Sequence, residues 1–217
     1  KENSFRLKTF EDAFGVRSKL EALRNEMAEG KMTRITIGGG GGTGVELAAE
    51  IAKLMRAGQN KIEITMLEAT PTILPGFDSR VVRKVHSRLL KLGIKIILGN
   101  PVASATFKGV KLKDGSTVLH DLLIWTGGVG ASNLTEQLSM HIKKGEKNRL
   151  EIFGDLTCKP QDLSSKMHGF VYAIGDIACI LNPESNRMVP LVAKAAIEEG
   201  VVVAKNIIKS IKHKDKN

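Results

Sequence analysis

Aromatic side chains are scarce in this sequence: one Trp, one Tyr and seven Phe among 217 residues. Surfaces that stack nucleic-acid bases need such rings. The lysines are also scattered rather than clustered among aromatics, which argues against a nucleic-acid partner. Cysteine is equally sparse. Cys158 and Cys179 lie far apart, form no CxxC or metal-ligand spacing, and read as reduced thiols of an intracellular chain. His86, His120, His141, His168 and His213 make no HxH or HExxH pattern, so a metal site has no support. No apolar run approaches the roughly 18 residues that span a bilayer, and no signal peptide opens the sequence. It begins at Lys1 rather than Met, as a processed, trimmed or partial chain would.

What is present is a chain able to build a core. Its hydrophobic fraction is 42%, above the range of disordered chains. A net charge of +10 favours anionic partners such as nucleotides, nucleic acid or an anionic membrane face, without choosing among them.

Local signals give the order of elements. Residues 9–28 read as a helix with a Thr9–Asp12 capping box and Gly30 past its end. Residues 34–38 read as a β-branched strand, Val45–Met55 as a helix, and 61–69 as an alternating strand ending at Glu68. Residues 78–93 place Val81, Val82, Val85 and Leu89 at helical spacing before Gly93, and 94–98 form the next strand. Around Asp114-Gly115 the sequence alternates with period two, a hairpin signal. "LLIW", 122–125, is a buried strand. Further on, "FVYAI", 170–174, reads as another. A helix is expected over 190–211, opened by Pro190, with Ala193, Ala196, Ile197, Val201 and Ala204 on one face. The basic end (Lys205, Lys209, Lys212, Lys214, Lys216) reads as a solvated helix end or a contact for anionic lipid.

The stretch "RITIGGGGGTGVELAAE", 34–50, carries the chemistry. Five consecutive glycines suggest several registers of G-x-G-x-x-G, but only Gly39, Gly41 and Gly44 fit: from Gly38 the third position falls on Thr43, and from Gly40 on Val45. Gly39 would turn the chain out of the strand. Gly41 would let the backbone approach a pyrophosphate, and Gly44 would let helix and strand pack closely. The helix that follows would aim free N–H groups at the phosphates. Glu68, 24 residues past Gly44, would accept hydrogen bonds from the ribose hydroxyls of NAD and repel the 2′-phosphate of NADP. NADH is therefore expected to be preferred over NADPH. The fold class that follows is α/β: a Rossmann-like NAD-binding domain with a parallel sheet and an antiparallel β-meander insertion.

"GGGTGVELAAEIA", "LEATPTILPGFD", "LLIWTGGV", "GFVYAIGDIA" and "VPLVAKAAIEEGVVVAKNI" occur in an order that resembles the pyridine nucleotide-disulphide oxidoreductase superfamily of two-dinucleotide-domain flavoproteins. "LPGFD" and "FRLKTFEDAFGVRSKL" resemble its type II NADH:quinone oxidoreductase branch. The resemblance implies three segments. Residues 1–30 are a helix and linker from an incomplete FAD domain, 31–130 an NAD-binding domain, and 131–217 the C-terminal half of the FAD-binding domain. It implies two cofactors, NAD and FAD, and hydride transfer from NADH to flavin without an essential acid or base. Thr43 and Glu46 would lie in the NAD site, Glu46 near the nicotinamide, with Thr126, Gly127 and Gly128 along the nicotinamide side. Gly175 and Asp176 resemble the second FAD motif, whose Asp bonds the ribityl chain. Pro190, Val192 and Ala193 would face the flavin pyrimidine, where the helix dipole favours negative charge. Plainer readings stand beside these: Glu46 as a dipole partner, Thr126–Gly128 as a strand-to-loop turn, Asp176 as a turn cap.

The resemblance also has gaps. The first FAD half and a C-terminal domain have no counterpart here. The chain is expected to be a fragment of a longer enzyme or a truncated NAD-binding module without flavin turnover. Lys194, Glu198 and Glu199 stand where the family's helix carries glutamines, which argues against quinone as the small-molecule electron acceptor. The expected location is cytoplasmic. The resemblance leaves open a peripheral contact with the inner face of the cell membrane and a homodimer.

Overall fold

The computed structural model describes residues 4–56, 61–128, 134–164, 169–182, 188–189 and 191–214. Two compact units divide the chain, residues 1–128 and 129–217.

In the first unit, β1 (Ser4–Arg6) leads into α1 (Phe10–Ala28). Thr9 caps that helix: its Oγ1 accepts the Asp12 N–H at 3.2 Å, while Asp12 accepts the N–H of Thr9 at 2.9 Å. This is the capping box read from the sequence. Then come β2 (Thr33–Gly38), α2 (Gly42–Arg56), β3 (Ile62–Leu67), α3 (Ser79–Lys91), β4 (Ile94–Ile97), β5 (Val102–Ala105), β6 (Gly109–Leu112), β7 (Thr117–Leu119) and β8 (Leu122–Trp125). Five strands form a parallel sheet in the order β1-β8-β2-β3-β4, and β5-β6-β7 form a separate antiparallel sheet.

Strand alternation assigns the two faces. Ile35, Ile37, Ile64, Met66, Ile94, Leu122 and Ile124 share a core with Val16, Leu20 and Leu23 of α1, Ala48 and Ile51 of α2, and Leu89 of α3. Leu67 and Leu123 point to the opposite face and pack on Val110 and Leu112 of the meander. The mixed α/β architecture is thus the expected one. Residues 4–28 pack within this unit: β1 pairs with β8 in register Ser4↔Leu123, and α1 buries its apolar stripe under the same sheet.

The second unit holds α4 (Leu134–Gln137), a two-residue parallel pair of β9 (Leu150–Glu151) with β10 (Ala178–Cys179), and α5 (Ala193–Lys214). Its buried cluster is Ile142, Leu150, Cys158, Ala173 and Ala178. Two expectations are corrected here. "FVYAI" is not a strand; its pairing stops at a single bridge, Thr157↔Tyr172. Only Ala173 of the five is buried, and Phe170 is 65% exposed. The second correction concerns α5. The helix starts at Ala193 and turns Ala196, Glu199, Val203 and Asn206 inward, all half-buried. Ile197 and Val201, expected on the buried face, are 68% and 51% exposed. Two polar anchors set this rotation. Glu199 Oε2 accepts the Gly175 N–H at 2.6 Å, and Asn206 Nδ2 donates to the Asp155 carbonyl at 2.8 Å.

Candidate functional site

Parallel strands place their C-terminal ends at one edge of the sheet, where doubly wound folds bind ligands. In the first unit that edge carries the glycine loop after β2, Glu68 after β3 and Thr126 after β8. The loop is shaped by what a side chain would strike. Gly39 has φ +113°, and a Cβ there would lie 2.8 Å from the Gly127 nitrogen. A Cβ on Gly44 would lie 1.9 Å from the Gly39 carbonyl oxygen. Gly41 and Gly42 are different: nothing stands within 4 Å of a Cβ built on either. α2 begins at Gly42, so its first-turn N–H groups open at this same loop. Thr43 is exposed in that turn, and Glu46 is exposed one turn later.

Glu68 reaches back into the loop. Its Oε2 accepts the Gly40 N–H at 2.6 Å, and its Oε1 accepts the Thr70 N–H at 2.9 Å. Thr126 staples β8 to β2: its N–H donates to the Gly38 carbonyl at 2.8 Å, as does the Gly127 N–H at 3.0 Å, and its Oγ1 lies 3.0 Å from the same oxygen. Gly128, with φ +84°, is exposed beyond it. The Trp125 ring lies against Gly38, where a Cβ would meet it at 2.3 Å. The structure therefore gathers Gly39, Gly41, Thr43, Gly44, Glu46, Glu68, Thr126, Gly127 and Gly128 at one sheet edge. Sequence reasoning missed Thr70, Leu74 and Trp125. Leu74 donates its N–H to the Gly40 carbonyl at 2.8 Å from a left-handed conformation, φ 50°. A buried leucine in that region carries no sequence signal.

In the second unit, Gly175 (φ 64°) opens a tight turn through Ile177. Asp176 presents an exposed side chain, while its carbonyl accepts Arg149 Nε at 3.1 Å. Arg149 is 3% exposed, so a buried cation fixes the turn from behind. A cavity beside the turn is lined by Gly175, Asp176, Ile180, Val192, Ala196 and Glu199, among others. Val192 and Ala193 are exposed at the start of α5. Pro190 lies outside the described residues. Cys158 is buried, which pushes its thiol up to about 11 and leaves it a poor nucleophile. Among the described residues no group of His, Cys, Asp and Glu could hold a metal ion.

The sequence pattern described as pyridine nucleotide-disulphide oxidoreductase matches residues 1–200. The chain belongs to that family. A type II NADH:quinone oxidoreductase of Haemophilus influenzae is 30% identical over 213 residues, covering 90% of this chain and 46% of the relative. The corresponding protein of Mycobacterium tuberculosis is 29% identical, covering 93% and 45%. The solved structure of NDH2 from Plasmodium falciparum in complex with NADH superposes with a TM-score of 0.65 at 21% identity, covering 82% of this chain and 40% of that one. At that identity the superposition shows the fold. The chain spans 43–46% of the length of the curated relatives it matches. The matched residues 1–200 include the glycine loop and the Gly175-Asp176 turn.

Proposed function

We propose that this chain carries the NADH site, and one wall of the FAD site, of an NADH oxidoreductase that passes a hydride from NADH to flavin. The observation that carries the reading is the open space over Gly41 and Gly42, beside a helix N-terminus and a carboxylate at the end of the next strand. Backbone N–H groups there suit a pyrophosphate, and Glu68 suits a ribose rather than a 2′-phosphate. Gly39 and Gly44 build the cradle. Glu46, Thr126, Gly127 and Gly128 would line the nicotinamide half.

The second unit fits a flavin in part. Asp176 would bond the ribityl chain, with Arg149 and Glu199 holding its turn. Pro190, Val192 and Ala193 would lie at the pyrimidine edge. A bound flavin supplies a two-electron acceptor for the NADH hydride. The chain's own residues bind and orient; none is assigned as an acid or base. A second reading, an NAD-binding module without flavin turnover, is favoured by the small buried cluster of the second unit. The visible spectrum of the purified chain separates the two. Flavin absorption near ~450 nm at about one FAD per chain supports the first, and a colourless protein that binds NADH supports the second. Calorimetric titration in which NADPH binds more tightly than NADH would overturn the assignment of Glu68.

The acceptor is a small molecule. The relatives are named for quinone, but here Glu199 holds the Gly175 N–H, and Lys194 and Glu198 are a charged, exposed i,i+4 pair. A charged helix face argues against quinone, and a quinone-reduction assay with flavin added checks this. Among the described residues no helix is long and apolar enough to cross a membrane. A peripheral membrane contact and a homodimer are checked by liposome sedimentation and by light scattering.

A further inference from the structure

We propose that Thr70 is a positioning residue for nucleotide choice: it locks the Glu68 carboxylate so that this charge cannot swing away from an arriving 2′-phosphate. The inference rests on the reading of residues 38–44 as an NAD cradle. A carboxylate offers about four lone-pair positions, and the protein already uses most of them. The Gly40 N–H sits on Oε2 at 2.6 Å, and the Thr70 N–H on Oε1 at 2.9 Å. Thr70 Oγ1 lies 3.0 Å from Oε1 and 2.8 Å from the Thr72 carbonyl; with one proton, it donates to one of these at a time. Oε2 keeps the open position for a ribose hydroxyl.

Thr70 itself is anchored. Its carbonyl accepts the Gly99 N–H at 2.9 Å, just past β4. Four residues on, Leu74 holds the Gly40 carbonyl, and Ile73 is fully buried. The segment 68–74 thus grips Gly40 through both its N–H and its carbonyl. Rotation of Glu68 to another rotamer would break its bonds to Gly40 and Thr70 together. A free glutamate can turn aside for an incoming phosphate, and this one is held against doing so. Nucleotide choice then depends on how firmly the carboxylate is held as well as on its charge.

The test uses the full chain and four variants: Thr70→Val, Thr70→Ser, Glu68→Gln and the Thr70→Val/Glu68→Gln double. Dissociation constants for NADH and NADPH are read from quenching of Trp125, the sole tryptophan. Thr70→Val should reduce the preference for NADH roughly three- to tenfold, the net worth of one ordinary hydrogen bond, since the hydroxyl divides its proton between Glu68 and Thr72. Thr70→Ser should restore it, and Thr70→Val should add nothing in the Glu68→Gln background. An unchanged preference in Thr70→Val, or an equal shift in the Glu68→Gln background, overturns the proposal while NADH binding by the parent chain stands. A parent chain that does not bind NADH overturns the cradle reading, and this proposal with it.

Discussion

Replacing Gly44 by alanine tests the cradle at its tightest point. The new Cβ would stand 1.9 Å from the Gly39 oxygen and 2.8 Å from Thr126 Oγ1. An ordinary carbon–oxygen contact is about 3.3 Å, so α2 must retreat by about 1.4 Å. The Gly39 carbonyl cannot yield easily, because the Gly39 N–H is tied to the Leu67 carbonyl at 2.8 Å. A retreat of α2 loosens Ala48 and Ile51 over the sheet. Overpacking of this kind costs about 1–3 kcal/mol or more, partly offset by up to ~1 kcal/mol of helix propensity. The net expectation is about 2 kcal/mol of destabilisation, a fall in melting temperature of roughly 5–8 °C. Gly41→Ala should behave in the opposite way. With nothing within 4 Å of its Cβ, it should melt within about 1 °C of the parent yet bind NADH at least about tenfold more weakly, the methyl standing where the pyrophosphate approaches. Calorimetric melting and NADH titration of both variants read the two effects separately. A Gly44→Ala protein that melts like the parent, or a Gly41→Ala protein that binds NADH like the parent, refutes the reasoning.

Three further outcomes are expected. His120 is 4% exposed, and burial holds its pKa below the usual 6.5, against the opposing pull of Asp121. As pH falls through about 6.5 the unfolded chain takes up this proton while the native chain resists, so stability declines and then levels off below the native pKa; His120→Leu should flatten that part of a denaturation-versus-pH curve. Leu89→Ala, at the single buried position of α3, should lower the unfolding free energy in urea by about 2–5 kcal/mol. If flavin binds, Glu199→Ala should weaken it by releasing the Gly175 N–H, whereas Glu199→Gln, which can still accept that bond, should not; flavin fluorescence on titration reads the difference.

Where the sequence was legible, the signal was local. Thr9 and Asp12 are three residues apart, and their capping box formed as read. Asp114-Gly115 closes β6 onto β7, with Ser116 bonding back to Asp114. Two glycines of the register meet a nearby steric demand, Gly44 from Gly39 and Gly39 from Gly127, while Gly41 faces open space. What escaped reading depends on distant partners. β1 is three residues whose only register is with residues 123–125. The inward face of α5 was chosen by Glu199 and Asn206, polar residues that an apolar stripe does not reveal. "FVYAI" had the composition of a strand, but its pairing with residues 156–158 stops after two backbone bonds. The strap at 70–74 is held by the Thr70 side chain on Glu68, by backbone bonds and by one left-handed leucine, partners that the residue types do not announce.

The pairing of β1 with β8 also orders events in time. Ser4 meets Leu123, so β1 must wait for the last strand of its unit before it has this partner. The local steps β2–α2–β3 and α3–β4 can form first, from neighbours in sequence. Closing the sheet then means bringing ends more than a hundred residues apart together, at an entropic cost that rises only slowly with loop length. During synthesis, α1 would leave the ribosome before the strands it packs on, and β8 would arrive as the strand that gives β1 its partner.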